Sequence, residues 1–243
     1  MNLLLDMGNS RLKWALSYHD QLLIGTPLDN TQVNQQNLLD AWAHLAKPHA
    51  IGIAWVSQSE LLSSVKSVAN TLWQDVTIYD IKAQAKAFSV QNAYANAEKL
   101  GVDRWLALLA ARQRYTGHCC IVDCGTAITL DLLDGKGAHL GGFICPGLTL
   151  MKQSLATGTG SLPFNVESFD MRPANCTEAA IYAGTLAAAT GLIEQIVKSQ
   201  PIDCQVILTG GDAELIGQHL TLPITIETNL VLRGLAIAMD GVQ

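Results

Sequence analysis

Two stretches of this chain share one layout, and that repetition constrains the fold more than any other feature. Residues 3–16 read LLLDMGNSRLKWAL, and residues 119–133 read CCIVDCGTAITLDLL. In each, an apolar run ends in an aspartate, one residue and a glycine, and a second apolar run follows a small polar residue. This layout is typical of a strand, a tight turn and a returning strand. The repetition predicts two copies of one supersecondary unit.

The segments around these hairpins alternate between strand and helix patterns, which predicts an α/β fold. Helical spacing of apolar residues, with Ser59 as a possible cap, indicates helices at 35–47, 59–73, 98–115, 177–198 and 230–241. Buried strands are expected at 50–57, 75–81, 140–146 and 204–209. Residues 20–36 are polar and irregular. We expect an N-terminal lobe, 1–115, with the first turn and the central helix, and a C-terminal lobe, 116–243, with the second turn.

Composition excludes several classes of protein. With 243 residues and 49% hydrophobic content, the chain can bury a large core in one domain or two packed lobes. Its formal net charge of -6, and the absence of any run of Lys or Arg, argue against a sequence-independent nucleic-acid binder. Small molecules and proteins are therefore the expected partners.

Cysteine usage and hydropathy favour a cytoplasmic protein. The six cysteines form no CxxC pair and stand among apolar or mixed residues, as expected of reduced, buried thiols and not of disulfides or a zinc site. Asp6 cuts the apolar start too short for a signal peptide, and no window reaches the roughly 18 uncharged apolar residues of a membrane helix. We expect no membrane partner.

The paired turns suggest phosphate binding. Gly8 and Gly125 allow close backbone approach, so that main-chain N–H groups can contact a phosphate. Asp6 and Asp123 place one carboxylate at the end of each strand. A single D-x-G sequence is more often an ordinary hairpin turn. Two turns on equivalent strands can instead hold opposite ends of one polyphosphate, with the aspartates on a divalent metal or its waters.

A third glycine-rich turn lies in VILTGGDAEL, where a predicted strand passes into a helix. Gly210 and Gly211 would let a flat ligand such as a nucleoside lie against the backbone, although a close-packed strand-to-helix turn would explain the same residues. The P-loop pattern G-x-x-x-x-G-K-[ST] does not occur, and the nearest G-x-G, in TGTGSLP, has no strand before it and no helix after it. A bound nucleotide would be held in another way.

These residues resemble the superfamily of acetate and sugar kinases, heat-shock ATPases and actin. The segments DMGNSRLKW, GVDRWLAL, VDCGTAITLDLL, GGFICPGLTLM and LTGGDAEL, in this order, are similar to type III pantothenate kinases over almost the whole chain. The resemblance implies duplicated ribonuclease-H-like (actin-like ATPase) lobes with a nucleotide cleft between them. It also implies ATP-dependent phosphorylation of the primary hydroxyl of pantothenate, with magnesium, a monovalent cation such as potassium or ammonium, and a homodimer.

The resemblance assigns roles at the phosphate turns. Asp6 would face the metal, and Lys13 would add charge there or stand as a solvated strand lysine. Asp123 would bind the monovalent cation as a second metal site. The remaining nucleotide contacts would come from the turn residues Gly8, Asn9, Ser10, Gly125, Thr126, Gly210 and Gly211.

The resemblance also assigns a pantothenate site in GVDR, where Gly101 and Val102 precede the central residues. Asp103 would accept the hydroxyl proton, although an aspartate at a helix start also serves as a cap. Arg104 would bind the pantothenate carboxylate, because a guanidinium fork matches that group.

Two further substrate contacts are implied by the resemblance. Tyr94 would touch pantothenate, although a packed loop aromatic fits the same pattern. Thr177 would act across the dimer interface, with a helix cap as its alternative. Sequence alone leaves both pairs of alternatives open.

Three rival functions remain. Another small-molecule kinase of the superfamily would lack GVDRW, and a nucleotide-binding regulatory or accessory protein would have no need of Asp103. A chaperone-like or filament-forming ATPase needs additional subdomains that 243 residues do not accommodate.

Overall fold

The computed structural model of the protein describes residues 1–19, 21–56 and 59–241, apart from the side chain of Ser59. The predicted Ser59 cap therefore lies outside the described residues. The chain divides into two compact units, of which the second comprises residues 114–229 and the first contains the remainder.

Strands and helices are numbered here in chain order. The strands are β1 (Asn2–Met7), β2 (Arg11–Tyr18), β3 (Gln21–Ile24), β4 (Leu28–Asp29), β5 (Ala50–Trp55), β6 (Thr77–Asp80), β7 (Lys86–Ala87), β8 (Val90–Gln91), β9 (Cys119–Cys124), β10 (Ala127–Leu133), β11 (His139–Pro146), β12 (Gln205–Thr209) and β13 (Thr225–Ile226). The helices are α1 (Gln35–Trp42), α2 (Ser59–Leu72), α3 (Val102–Arg114), α4 (Leu148–Gly158), α5 (Thr177–Val197), α6 (Ala213–Gly217) and α7 (Leu230–Asp240), with a 3₁₀ turn at Ala97–Lys99.

The two main sheets have the same plan. The first has the order β3-β2-β1-β5-β6, with β4 also paired to β2, and the second has the order β11-β10-β9-β12-β13. In both, the central strand is antiparallel to the hairpin strand that follows it and parallel to the next strand on its other side. The predicted duplication of one supersecondary unit is therefore confirmed. Residues 20–36, expected to be irregular, include the short strands β3 and β4.

The core of the first unit shows how β1 positions its aspartate. Successive side chains of a strand point to opposite faces. Leu3 and Leu5 pack into a core that includes Trp14 and Trp42, whose ring centroids are 6.5 Å apart. Asp6 consequently lies on the opposite face of β1, where it is only 7% exposed. The interruption of the apolar strand thus places a buried carboxylate at its end.

Helix α7 changes the predicted division of the chain. We expected α7 in the C-terminal lobe, 116–243. It packs instead against β1, β2 and β5 and so belongs to the first unit. The chain therefore crosses between the units twice, after Gln113 and again after Asn229. The reason is the apolar surface of α7, which is buried along most of its length and needs a sheet to cover it.

Helix α5 is the core helix of the second unit, where Tyr182, Leu186 and Ile193 pack with residues of β9, β10 and β12. Within the described residues it is also the one helix whose length and composition would allow it to cross a membrane, with a mean hydropathy of 1.3 and 39% of that window buried. Its alanines and aliphatic residues raise the hydropathy, whereas Glu178 and Glu194 leave an uncharged run shorter than the roughly 18 residues of a membrane helix.

Candidate active site

The first turn, between β1 and β2, brings an aspartate and a lysine together. Asp6 is directly opposite Lys13 in the antiparallel register of the two strands, so both side chains lie on one face of the sheet. Lys13 is half-buried. This position favours the interpretation of Lys13 as a charge beside the carboxylate over that of a solvated strand lysine.

The turn itself is a compact backbone structure. The Gly8 N–H donates to the Arg11 carbonyl at 3.2 Å, and Asn9 and Ser10 form the exposed tip. The tip borders an open cavity of about 420 Å³, lined by Asn9, Ser10, Arg11, Asp29, Asn30 and Thr31. Of these residues, the sequence analysis had singled out only Asn9 and Ser10.

The second turn, between β9 and β10, is one residue shorter. The Gly125 N–H donates to the Ala127 carbonyl at 3.1 Å. Asp123 is flanked by Thr129 on the antiparallel strand β10 and by Thr209 on the parallel strand β12. Threonines therefore occupy both positions beside this carboxylate. Thr129 stands where the first hairpin has Lys13.

The GGD turn packs directly on the second turn. Gly210 has a φ of 93°, and a Cβ at that position would overlap both the Asp123 carboxylate and the Cys124 carbonyl. The Asp212 N–H donates to the same Cys124 carbonyl at 2.9 Å. The structure therefore brings two sequence-predicted nucleotide segments together, while Gly211 is exposed beside them with open space around its Cα.

The segment GGFICPG also packs on the second turn. The Gly147 N–H donates to the Thr126 carbonyl at 2.9 Å, and a Cβ on Gly147 would overlap the Gly125 carbonyl oxygen. Helix α4 begins at the next residue. Backbone from three separate segments thus meets at one place in the second unit, and glycines at 147 and 210 make this close packing possible.

Burial sets the ionisation of two side chains near this turn. Burial raises the pKa of the Cys124 thiol, and the Asp123 and Asp212 carboxylates raise it further, so the thiol stays neutral and acts as packing. Burial lowers the pKa of Lys152, an effect that Asp212 opposes. The Lys152 ammonium lies 4.9 Å from the centroid of the Tyr182 ring. The sequence analysis had not singled out Lys152.

The predicted substrate residues of the first unit form a second cluster. Arg104 is only 6% exposed, and its guanidinium donates to the Tyr94 hydroxyl at 3.0 Å. The Arg104 backbone N–H donates to the Asp103 carboxylate at 2.8 Å. Asp103 therefore satisfies a first-turn N–H of α3, a helix-end role that is compatible with its predicted catalytic role. Gly101 and Val102 lead into the same turn.

Asn92 holds Tyr94 in this cluster, and the sequence analysis missed it. The Tyr94 N–H donates to Asn92 Oδ1 at 2.9 Å, while the Asn92 amide donates to the carbonyls of Gln84 at 3.2 Å and Ala97 at 3.3 Å. These bonds tie the loop before α3 to the position of the tyrosine. All three bonds join residues within eight positions of Asn92, and the bond from the Tyr94 N–H is an Asx turn.

Thr177 is the first residue of α5 and is exposed, in the second unit. The alternative that it caps the helix is wrong, because Cys176 occupies the cap position and makes no side-chain capping bond. The Thr177 hydroxyl is therefore placed on the surface of its unit.

The carboxylates fit a metal that arrives with a nucleotide. No group of three or more His, Cys, Asp or Glu side chains converges within residues 1–19, 21–56 and 59–241. Kinases hold Mg²⁺ through one or two carboxylates together with substrate phosphates, and not in an all-protein cage. A single carboxylate beside each backbone-lined turn agrees with that chemistry.

Comparison with known proteins gives relatives over the whole chain. The family model of type III pantothenate kinase matches residues 2–199. A type III pantothenate kinase of Nitrosococcus oceani is 37% identical over 99% of this chain and 94% of its own. The structure of a protein named as a 2-dehydro-3-deoxygalactonokinase of Sinorhizobium meliloti has a TM-score of 0.62 at 15% identity, covering 100% of this chain and 99% of that one.

A further structure, of a protein named as a Baf family transcriptional activator of Campylobacter jejuni, has a TM-score of 0.58 at 20% identity over 99% of this chain and 98% of that one. At these identities the solved structures speak for the fold alone. They confirm the predicted actin-like ATPase fold.

Proposed function

The chain belongs to the type III pantothenate kinase family, and we propose that it transfers the γ-phosphoryl group of ATP to the primary hydroxyl of pantothenate. The product would be 4'-phosphopantothenate, the first intermediate on the route to coenzyme A. The observation that carries the proposal is the cluster of Asp103, Arg104 and Tyr94, since it joins a carboxylate, a buried guanidinium and a phenol in the segment where the family resemblance expects substrate.

Asp103 is the proton acceptor in this proposal. Phosphoryl transfer needs little covalent chemistry from the protein, but the attacking hydroxyl must lose its proton. As the new bond between oxygen and phosphorus forms and ADP leaves, the hydroxyl proton passes to the Asp103 carboxylate. One oxygen of that carboxylate is oriented by the Arg104 N–H, which supports a fixed position for the base.

Arg104 binds the carboxylate of pantothenate. A guanidinium with little exposure to water forms strong, directional bonds to a carboxylate, since less of the interaction is lost to solvation. The Tyr94 hydroxyl fixes one edge of the fork through its 3.0 Å bond. This arrangement supports a substrate-orienting role for both residues.

The two turns bind ATP. In the first unit, Asp6 and Lys13 face the phosphates and their metal, and Gly8, Asn9 and Ser10 supply backbone contacts. In the second unit, the backbone contacts come from Gly125, Thr126, Gly210 and Gly211. Magnesium, when bound with ATP, neutralises charge that develops on the phosphates.

Asp123 binds the monovalent cation. Potassium prefers oxygen ligands, and this carboxylate is flanked by Thr129 and Thr209 on its two neighbouring strands. The first turn places Lys13 opposite its aspartate, and the second places Thr129 there, whose hydroxyl adds a further oxygen beside the carboxylate.

The protein acts as a homodimer through a face of the second unit. Exposed large apolar side chains lie on β11, on α4 and in the segment before α5, namely Leu140, Phe143, Ile144, Leu150, Phe164, Val166 and Met171. The outer face of α5 adds small residues, including Ala180, Gly184, Ala187 and Gly191. Large exposed apolar surfaces usually mark interfaces. Thr177 lies three residues before Ala180 on the same outer face of α5, so a second copy covering that face would lie close to it, which supports its expected role across the interface.

We place the enzyme in the cytoplasm. All six cysteines are free thiols, which is typical of a reducing compartment. The charge of -6 and the pI near 5.4 support small-molecule partners and no nucleic-acid partner.

An assay of ADP formation by the purified protein tests this function. ATP, magnesium and pantothenate, with and without potassium, should give pantothenate-dependent ADP. Asp103→Asn should lower kcat by roughly 10²-fold or more, as expected for loss of a general base, while ATP binding persists. Asp40→Asn is the matched control, because Asp40 is an exposed carboxylate of α1 that accepts a hydrogen bond from Gln36 on the same helix.

The same assay separates the rival functions. ATP binding without pantothenate-dependent ADP would contradict the proposal and favour a nucleotide-binding regulatory protein. ADP release that depends on a sugar or acetate instead would indicate another kinase of the superfamily. Near-normal turnover in Asp103→Asn would leave Asp103 as a helix-end residue only.

A further inference from the structure

We propose that Asn30 is a positioning residue that holds the first phosphate turn in its binding conformation. This inference rests on the proposed function, because it assigns Asn30 to the loop that we expect to contact ATP. Asn30 follows β4, about twenty residues beyond the turn. It lies in a region where the sequence showed only polar, irregular residues, and no motif includes it.

Three consecutive carbonyl groups of the turn accept hydrogen bonds from Asn30. Its side-chain amide donates to the Gly8 carbonyl at 2.7 Å and to the Asn9 carbonyl at 3.0 Å. Its backbone N–H donates to the Ser10 carbonyl at 3.0 Å. A single residue therefore fixes the orientation of successive peptide groups across the tip of the turn.

The direction of these carbonyls determines the direction of the neighbouring N–H groups. In a trans peptide, the C=O of one residue and the N–H of the next point in opposite directions. The carbonyls of Gly8 and Asn9 point towards the Asn30 amide, so the N–H groups of Asn9 and Ser10 point away from it. Those are the backbone donors that a phosphate at this turn would meet.

The amide orientation of Asn30 is fixed by chemistry. Two carbonyl oxygens demand the NH₂ group, since an amide oxygen facing them would repel both. In this orientation Asn30 Oδ1 is buried and has no hydrogen-bond partner among the described residues. The side chain thus leaves its own acceptor unsatisfied while it supplies both donors to the turn, so its hydrogen bonds to the turn are made by the NH₂ group alone.

A local turn aims Asn30 at its partners. The Asp29 carboxylate accepts from the Thr31 N–H at 2.9 Å and from the Thr31 hydroxyl at 2.8 Å. This Asx turn bends the chain directly after β4. It therefore sets the direction in which the intervening Asn30 side chain leaves the backbone.

Asn30→Asp is the sharpest test, because it keeps the shape and replaces the donor NH₂ by an oxygen facing two carbonyls. We expect the KM for ATP, and the Kd for MgATP measured by calorimetry, to rise roughly tenfold or more from the loss of two hydrogen bonds. The KM for pantothenate should change less. Asn30→Ala, which removes the donors without adding repulsion, should show the same pattern with a smaller effect.

Asn34→Ala is the matched control. Asn34 lies four residues beyond Asn30 and caps α1 by accepting from the Asn37 N–H at 3.0 Å. Its loss should lower thermal stability and leave both KM values within about twofold of wild type, because capping contributes to helix stability only. The comparison shows whether weaker ATP binding comes from losing the hydrogen bonds to the first turn or from losing any asparagine in this region.

Each outcome decides the inference. Unchanged MgATP binding in Asn30→Asp and Asn30→Ala would overturn it, as would equal rises in both KM values accompanied by a lower Tm. Failure of wild type to bind MgATP would overturn it as well. If wild type binds MgATP but shows no pantothenate-dependent ADP, the proposed function fails while weakened binding in Asn30→Asp still supports the inference.

Discussion

The two hairpins descend from one layout but are held together in different ways. In the first, Lys13 stands opposite Asp6, and the side chain of Asn30 holds the turn from outside. In the second, Thr129 stands opposite Asp123, and the turn is held by backbone packing. Both hairpins place a carboxylate at the end of a central strand. They differ in the residue opposite that carboxylate and in the contacts that hold the turn.

The shorter second turn explains part of this divergence. Aligning the two D-x-G sequences would match Lys13 with Leu130, but the strand pairing places Thr129 opposite the aspartate. Loss of one residue in a turn changes which side chains face each other, because the side-chain period of a strand is two. The first turn therefore has a lysine opposite its aspartate, while the second has a threonine there.

The largest expected effect is a difference between the variants of the two turn carboxylates. Asp6→Asn should lower activity by roughly 10²-fold or more at every potassium concentration, because it removes the charge that faces the metal-bound phosphates. Asp123→Asn should mainly raise the potassium concentration needed for activity. Independent titrations of potassium and magnesium against each variant measure the difference. Identical responses of both variants to both ions would contradict this division of labour.

A smaller effect is expected from alanine substitutions that test whether backbone packing holds the second turn but not the first. Gly210→Ala forces an alanine into a left-handed backbone conformation and against the second turn, so it should cost about 1–3 kcal/mol and lower Tm by several degrees. Gly8→Ala should preserve Tm, because its Cβ would meet only the Arg11 carbonyl oxygen at 3.4 Å. Thermal melts of both variants make the comparison.

Gly211→Ala is the stability control for Gly210→Ala, since a Cβ at Gly211 would meet nothing within 4 Å. Its Tm should match that of wild type. If Gly210→Ala also melts like wild type, backbone packing does not hold the second turn as we describe.

Much of the fold was accessible from local sequence patterns. The helix predicted at 177–198 is found at Thr177–Val197, and the expected strand–turn–strand units are present at both D-x-G sequences. Helix α4 was not expected, because it starts after a glycine, ends in small residues, and buries only Leu148 fully. The packing of α7 was missed because it depends on contacts with strands far away in sequence.

The positions of candidate site residues could be predicted where a residue stands at the end of a strand or the start of a helix. Asp6, Asp103 and Asp123 all stand at element ends that the sequence indicates. Asn30 and Asn92 act through bonds to carbonyl groups outside any motif, and an asparagine in a polar loop gives no sign of which carbonyls it will meet. The partners of Asn30 lie about twenty residues away and are known only once β2 and β4 are paired, whereas those of Asn92 lie within its own loop.

The smallest expected effect comes from a substitution that makes the second hairpin resemble the first. Thr129→Lys places an ammonium opposite Asp123, where Lys13 stands opposite Asp6, and should reduce the ratio of rates with and without potassium by a few-fold, because a tethered cation replaces part of the diffusible charge. Thr129→Val, of similar shape and uncharged, should keep or increase the potassium requirement. Initial rates across a potassium titration, with Tm as a check on folding, measure both. A folded Thr129→Lys variant with the wild-type ratio would show that the charge opposite Asp123 does not determine the cation dependence, and the difference between the two hairpins would then need another physical cause.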